Sequence, residues 1–478
     1  MTLIQRFIEK TQSSPLHVAV VGDSMIDEYY DVSATRMSPE FPIPVMLSTS
    51  NEPTEVAPGG AANVAYQFKN WNSHSTLFSW LDEIAMATLN SFIFTQGCTL
   101  LESFGNNIPR KRRLYDGIHP TFRWDIELLR AGLSISGLAY NQEKLSASFL
   151  RSAMESPGFD VIVLSDYNKG TFYGDGKKHW MSYKSATIVD PKVGPASMWS
   201  GCTIFKPNSE EAEKLSGLKD WKAQSQYFLD TIGCEHVVIT QGGRGVVGAS
   251  RSTKGSQPKR FEYHPKEVLD PKSVIGAGDC FMAFLAMSYG HKFKIEECVE
   301  IAFKAGASYV KNNRNKPITP YDLLAAEDPI AAKFLTPPID REFKLVFTNG
   351  CFDLLHPGHI SSLKDARQYG DRLAVGVNSD ESVKRLKGDD RPYIKCEDRM
   401  KMLAALECVD YVLKFEDDSP FALVDLLKPD VIAKGGQYYN KHVVGSNVAK
   451  QIVFTKMIEG YSTTNLVKKI RETIASEP

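Results

Sequence analysis

The sequence predicts an α/β protein made of two successive, mostly parallel sheet units, the second the smaller and Rossmann-like. Three observations carry that prediction. Short apolar runs end repeatedly in clusters of Gly, Asp, Asn or Ser and are separated by helix-like segments, the alternation expected of a parallel sheet covered by helices. A chain of 478 residues is too long for one compact core. Pro317, Pro320, Pro329, Pro337 and Pro338 separate two sets of such runs. They predict a linker over 336–342 between units at 1–335 and 343–478.

Composition narrows the function. The formal net charge is −1 with both signs interspersed, so no basic block points to nucleic acid or an anionic membrane. The 8 Cys show no C-x-x-C spacing and fit reduced thiols in a cytoplasm. No apolar run reaches membrane-spanning length, and the N-terminus lacks a signal-peptide core. The expectation is a cytoplasmic enzyme for small molecules, without a nucleic-acid or membrane partner.

In the first unit, residues 17–22 read as a buried strand ending in Gly22-Asp23-Ser24-Met25-Ile26-Asp27. Polar groups beyond the carboxyl end of such a strand are where α/β sheets hold ligands. Pro58-Gly59-Gly60-Ala61-Ala62-Asn63 reads as a Gly-rich turn opening a helix, with Asn63 able to bond a sugar hydroxyl, although a Gly pair also serves as a plain turn. Arg110 to Arg113 form a basic cluster, either a phosphate contact or a solvated surface run. Strands over 160–164, 187–189, 204–205 and 237–239 lead to Ser165-Asp166-Tyr167, Asp190-Pro191-Lys192, Lys206-Pro207-Asn208 and Thr240-Gln241-Gly242-Gly243. Ile275-Gly276-Ala277-Gly278-Asp279 then opens an apolar helix. Backbone N–H groups of Gly276, Ala277 and Gly278 would form an anion hole. Asp279 is placed to take a proton from a hydroxyl, or merely to favour the helix dipole.

The second unit opens on Phe347-Thr348-Asn349-Gly350-Cys351-Phe352-Asp353-Leu354-Leu355-His356-Pro357-Gly358-His359. This reads as a strand, a tight turn and a helix starting at His356 or soon after. The two His, three apart, share one face and can donate hydrogen bonds to charge developing on a phosphate. A zinc pair is disfavoured, because no carboxylate stands at a zincin offset and no second Cys neighbours Cys351. A helix over 360–369, a strand over 372–377 leading to Asn378-Ser379-Asp380, and a basic loop from Lys384 to Arg391 follow. A helix over 397–406 carries Arg399. Strands over 411–415, 431–432 and 452–454 complete the sheet, the middle one running into Lys434-Gly435-Gly436-Gln437-Tyr438. Ser462-Thr463-Thr464 opens the last helix as an N-cap.

These motifs carry a resemblance. Gly22-Asp23, Gly59-Gly60-x-x-Asn63, Asn208-x-x-Glu211, Thr240-x-Gly242-x-x-Gly245 and Gly276-Ala-Gly-Asp279 occur in the order seen in the ribokinase-like sugar kinases, over roughly residues 15–325. The stretches 22–30, 36–45 and 164–170 look like one branch, the heptose 7-phosphate kinases. The resemblance implies Asp279 as general base and sugar-phosphate contacts from Asp23, Asp27, Gly59, Gly60, Asn63, Lys111 and Arg113. It implies nucleotide contacts from Asn208, Glu211, Thr240, Gly242 and Gly245, with Glu211 indirectly organising Mg²⁺. The sequence departs from the family at Ser273 and Ile275, where Asp and a hydroxyl residue are usual, and at Trp80-Leu81-Asp82-Glu83.

The stretch 347–359 resembles the nucleotidyltransferases with a His-x-Gly-His motif, and the second half is similar to the adenylyltransferase part of ADP-heptose synthesis proteins. That implies His356 and His359 on the α-phosphate. It implies nucleotide contacts from Thr348, Asn349, Gly350, Phe352, Asn378, Asp380, Lys387, Arg391, Arg399, Lys434, Gly435, Ser462, Thr463 and Thr464. ATP as substrate, Mg²⁺ and a homodimer are implied with it. Two alternatives stay open: the same architecture on another sugar phosphate or with CTP, and a first unit that is a binding or dimerising scaffold.

Overall fold

The structure, a computed structural model, describes residues 1–126 except 49, 80, 82, 94–97, 101–107 and 118; 158–251 except 170, 173–183 and 193; 257–265; 275–311; 316–456 except 339–340, 342 and 440; and 466, 467 and 472. It divides into two compact units, Met1–Ile318 and Thr319–Pro478.

The first unit is built on a nine-stranded sheet. Its order is Lys259–Tyr263, Val246–Ser250, His236–Thr240, Ile204–Phe205, Ala186–Asp190, Val161–Ser165, Leu16–Gly22, Ser73–Phe78, Cys98–Leu100. Val246–Ser250 pairs antiparallel with both of its neighbours, and the remaining neighbours pair parallel. Val161–Ser165 is buried along its whole length, as parallel strands with both faces covered must be. One face packs on Trp199, Phe205 and Phe228. Because the parallel strands all point the same way, their carboxyl ends share one edge, and Asp23, Asp166, Asp190, Lys206, Asn208 and Thr240 lie on it or within three residues of it.

A second sheet is unanticipated by the sequence pattern. Ser24–Met37 is a 14-residue strand. It pairs antiparallel with Pro44–Ser48 and Glu55–Gly60 and parallel with Arg110–Asp116, which pairs with His119–Ile126. Gly59-Gly60 is therefore the end of a strand and not a turn. Gly60 has φ of 60° and a side-chain carbon there would stand 2.3 Å from the Asp23 carbonyl oxygen, so two backbones touch where only Gly fits. The basic cluster Arg110 to Arg113 is a strand too, and alternation sends its side chains to opposite faces. Arg110 and Arg112 meet buried Glu28 at 2.6 and 2.7 Å, while Arg113 meets Asp27 at 2.7 Å.

The second unit has a five-stranded parallel sheet in the order Tyr411–Phe415, Arg372–Asn378, Leu345–Gly350, Val431–Gly435, Gln451–Thr455. One prediction is corrected here. The first half of the stretch predicted as a basic loop over Lys384 to Arg391 is instead the end of a helix, Asp380–Lys387, capped by the Ser379 side chain and ended by Gly388 at φ of 102°. Ser before an acidic first turn, with basic residues in the last, is a helix signature that the Lys and Arg obscure. The short helices Pro320–Ala325 and Pro329–Ala332 fall within this unit.

Candidate active sites

The first site gathers on the carboxyl edge of the large sheet, around Asp279. The helix Ala277–Gly290 starts there behind Gly276, which adopts a left-handed φ of 75°. A side-chain carbon on Gly276 would stand 2.5 Å from the Tyr309 hydroxyl, so this turn requires Gly. Above Gly278 the space is open. Asp279 is 4% exposed. Its two oxygens accept from the Tyr167 hydroxyl at 2.7 Å and the Asn63 amide at 2.9 Å. Burial pushes its pKa up, and these two donors and the charge of Lys206 oppose that push.

Asn63 is fully buried. Besides Asp279, its amide group meets the Tyr309 hydroxyl at 3.2 Å and the Gln67 amide at 3.1 Å. Its contacts are thus with the protein and not with the open site, contrary to the sugar contact its type suggests. Asp23 is likewise engaged, accepting from the backbone N–H groups of Tyr167, Lys169 and Thr171 at 2.9, 2.9 and 3.0 Å. It anchors the segment that delivers Tyr167. Lys111 is half-buried and its ammonium lies 5.5 Å from the Tyr167 ring centre, a cation–π contact. Burial lowers its pKa. Gly59 sits against Asp27, its position for a side-chain carbon being 3.2 Å from the carboxylate. Lys111, Arg113, Asp27 and Gly59 therefore come together, with Arg113 already ion-paired.

Asn208 caps the helix Ser209–Ser216 in a reciprocal box with Glu211. The Glu211 carboxylate accepts from the Asn208 N–H at 2.9 Å and from Lys192 Nζ at 2.8 Å. Lys192 also lies 5.7 Å from the Tyr167 ring. Thr240 bridges to Asn208 across neighbouring strand ends, and Gly242 and Gly245 bracket the one-turn helix that follows. Tyr167, Lys206 and Tyr309 complete the site without having been singled out as site residues from the sequence. Only their contacts with Asp279 and Asn63, set by the fold, give them away. Ser273 lies outside the described residues.

The second site is the loop between Leu345–Gly350 and the helix Pro357–Arg367. His356 is the N-cap residue of that helix, and its ring stacks on that of His359, centroids 3.8 Å apart at 21°. Burial lowers both imidazoles, His359 to about 4, where the neighbouring His356 adds to the effect. Both rings are neutral at pH 7 and able to donate one N–H each. Phe352 lies 5.2 Å from His359 and adopts a positive φ of 48°, a conformation costly for an aromatic residue and characteristic of functional loops. Gly350 packs directly on the Phe352 ring. Across the opening, Lys434 Nζ donates to the Asn349 side-chain oxygen, and burial lowers its pKa to about 8. Thr348 precedes Asn349 on the strand, Gly435 follows Lys434, and exposed Lys387 ends the Asp380–Lys387 helix.

Two arginines behave differently from a phosphate contact in solvent. The Arg399 side chain is 0% exposed. It donates to the carbonyls of Ile394 at 2.9 Å and Cys351, and to Asp380 at 2.7 Å. Arg391 pairs with Asp353, whose other oxygen accepts from the N–H groups of Tyr393 and Ile394 at 2.6 and 3.0 Å. Together they tie the loop bearing the histidines to residues 391–399. Asn378 is buried and donates to Ser382 at 3.1 Å. Ser462, Thr463 and Thr464 lie outside the described residues.

Comparison with known proteins agrees with both halves. The pfkB family carbohydrate kinases match residues 178–315, and the cytidylyltransferase-like family matches residues 347–475. The chain is 34% identical to the bifunctional protein HldE of Campylobacter fetus, over 95% of this chain and 100% of that protein. It is 32% identical to that of Hydrogenovibrio crunogenus, over 96% and 97%. Phosphofructokinase-2 from Escherichia coli, in a tetrameric inhibited form, shares the fold of the first unit with a TM-score of 0.51 and 15% identity, covering 65% of this chain and 98% of that one. A two-unit α/β chain, with a carbohydrate-kinase half and a nucleotidyltransferase-like half matched end to end at this identity, belongs to the HldE family of bifunctional proteins.

Proposed function

We propose that the first unit phosphorylates heptose 7-phosphate at its anomeric hydroxyl with ATP, and that the second joins the resulting sugar 1-phosphate, once its 7-phosphate has been removed by a separate phosphatase, to AMP. In the first reaction Asp279 takes the hydroxyl proton as the oxygen attacks the γ-phosphorus and ADP leaves. The N–H groups of Gly276, Ala277 and Gly278 stabilise the transferring phosphoryl. Tyr167 and Asn63 aim the carboxylate. Lys111, beside Asp27 and Arg113, is suited to the phosphate already on the sugar. The observation that carries this reading is a buried carboxylate, held by two donors, at the mouth of a helix whose first turn is open.

In the second reaction a sugar-phosphate oxygen attacks the α-phosphorus of ATP and pyrophosphate leaves. No protein nucleophile is needed, and positioning plus charge stabilisation suffices. His356 and His359 donate to the α-phosphate oxygens, Lys434 and Lys387 supply positive charge, and Arg391 and Arg399 hold the loop in place. Among the described residues no three His, Cys, Asp or Glu converge as a metal cage, and both Glu211 oxygens are engaged. Mg²⁺ would therefore be carried largely by ATP phosphates and water, neutralising phosphate charge. We place the enzyme in the cytoplasm, as a homodimer, with ATP in both sites.

Mass spectrometry of purified protein with Mg-ATP and heptose 7-phosphate tests the reading. A bisphosphate is expected from the wild type, with turnover reduced about 10²- to 10⁴-fold in Asp279→Asn. ADP-heptose and pyrophosphate from ATP and heptose 1-phosphate in both proteins would show the two sites to be separable. No bisphosphate from the wild type would overturn the kinase half.

A further inference from the structure

Lys192, at the end of the polar cluster Asp190-Pro191-Lys192, has no part in the chemistry described so far. Neighbouring parallel strands set its place on the carboxyl edge. Val161–Ser165 leads to Tyr167, which holds Asp279; Ala186–Asp190 leads to Lys192; and Ile204–Phe205 leads to the capping pair Asn208 and Glu211. Lys192 therefore stands between the base and the residues expected to meet the nucleotide. Its ammonium makes contact in both directions, 2.8 Å from the Glu211 carboxylate and 5.7 Å from the centre of the Tyr167 ring. Its side chain is 43% exposed, against 4% for Lys206 on the next strand end, which is already paired with Asp190 at 2.9 Å. An ammonium carries three N–H groups, and Glu211 takes one of them. Glu211 is itself fixed by the Asn208 N–H at 2.9 Å, so the lysine is held in place while its exposed side stays open to an anion. Lys111, from the small sheet, meets the same Tyr167 ring at 5.5 Å. Two like charges gathered at one ring call for two anions.

We propose that Lys192 is a catalytic residue of the kinase: held by Glu211 beside Tyr167, its ammonium binds an oxygen of the γ-phosphate of ATP and stays on it as the phosphoryl group passes to the sugar. This role rests on the kinase reading of Asp279 given above. The reaction brings two phosphates to the Tyr167 ring, one already on the sugar and one in transfer. Lys111 suits the first. Lys192, on the side of Asn208 and Glu211, suits the second. In the transfer the anomeric oxygen bonds to the γ-phosphorus and its proton goes to Asp279. The bond from that phosphorus to the bridging oxygen breaks, and its electron pair leaves with ADP. Lys192 keeps its protons throughout and stabilises the charge spread over the peripheral oxygens of the phosphoryl group. Burial works to lower its pKa, but the bond to Glu211 and the charges of Glu211, Asp190 and Asp166 outweigh burial and raise it, so the ammonium stays charged across the neutral range.

The test uses the full chain with Mg²⁺. Titration calorimetry compares ADP with β,γ-methylene-ATP, which carries a γ-phosphate and cannot transfer it. The nucleotide site of the second unit contributes equally in wild type and variant, so the difference between them reports the first unit. Lys192→Met is expected to weaken the triphosphate analogue there roughly tenfold or more and to leave ADP within about twofold. Lys192→Gln provides the same comparison if Lys192→Met fails to fold. Lys192→Arg, which keeps the charge, should restore most of the analogue's affinity. In the mass-spectrometric kinase assay Lys192→Met should lower kcat about 10²-fold, with the KM for heptose 7-phosphate within about twofold. A lysine that only held Glu211 in place would affect ADP and the analogue alike. Equal weakening of the two nucleotides, or none, therefore overturns the proposal. A wild type that makes no bisphosphate overturns the heptose kinase reading instead, and the calorimetry still decides the role of Lys192.

Discussion

Lys434 shows how one buried side chain can set a pH dependence. Its ammonium is held at Asn349, and burial brings its pKa to about 8. A lysine lowered in this way is charged below that pH and neutral above it. If its charge serves the triphosphate, adenylyl transfer loses kcat/KM above about pH 8, tenfold per unit. His359, at about 4, puts its own acid limb well below neutrality, and burial moves His356 in the same direction. A pH–rate profile of Lys434→Arg, whose guanidinium stays charged throughout, should lack the alkaline limb. A limb unchanged in that variant would assign it to another group. Tyr167 offers a second check at this scale. Tyr167→Phe removes one of two donors to Asp279 and leaves the ring for Lys111 and Lys192. A hydrogen bond to a charged group contributes about 1.5–3 kcal/mol, so kinase kcat at pH 7 should fall roughly tenfold or more, with the loss shrinking as pH rises.

At the scale of elements, the His-x-Gly-His loop is held from behind by two arginine–aspartate pairs. Arg399 reaches the Cys351 carbonyl and Asp380, and Arg391 reaches Asp353. Arg399→Met would take the cation from Asp380, leaving it the Cys396 N–H, and the donor from two carbonyls. It should destabilise the second unit by about 3 kcal/mol in urea unfolding and remove adenylyl transfer, while kinase turnover in the other unit stays within twofold. Retained transfer in that variant would mean that the loop holds its shape without the arginine. The same pairs explain what sequence could and could not tell. An arginine near a phosphate motif reads as a phosphate ligand, because sequence gives its charge and not its exposure. Parallel strands were legible, since burial on both faces makes them continuous apolar runs such as 161–164. The strand Ser24–Met37 was not, because Asp27 and Glu28 read as a polar turn until Arg110, Arg112 and Arg113 are known to neutralise them. Asn63 and Asp279 meet from 216 residues apart, and no local spacing announces their bond.

At the scale of the whole molecule, the two families were readable from motif order, whereas the place where one unit gives way to the next depends on contacts. Proline spacing points to 336–342, but the chain before it already packs into the second unit. Arg372 is boxed by Tyr321, Phe343 and Tyr411 at 4.4, 5.0 and 6.0 Å from their ring centres, and pairs with Asp322 at 3.2 Å. The Lys333 ammonium donates to the Leu406 carbonyl at 2.8 Å, and its own carbonyl accepts from the Val412 N–H at 2.7 Å. A fragment beginning at Thr319 keeps these contacts, and one beginning at Phe343 loses Tyr321, Asp322 and Lys333. Loss of one cation–π face and one partly buried ion pair is worth about 2–3 kcal/mol, or a Tm lower by roughly 5–10 °C in a unit of this size. The longer fragment should catalyse adenylyl transfer at the rate of the full chain, and the shorter should melt earlier in calorimetry. Equal melting temperatures would place residues 319–342 outside the cooperative unit and return the boundary to the prolines.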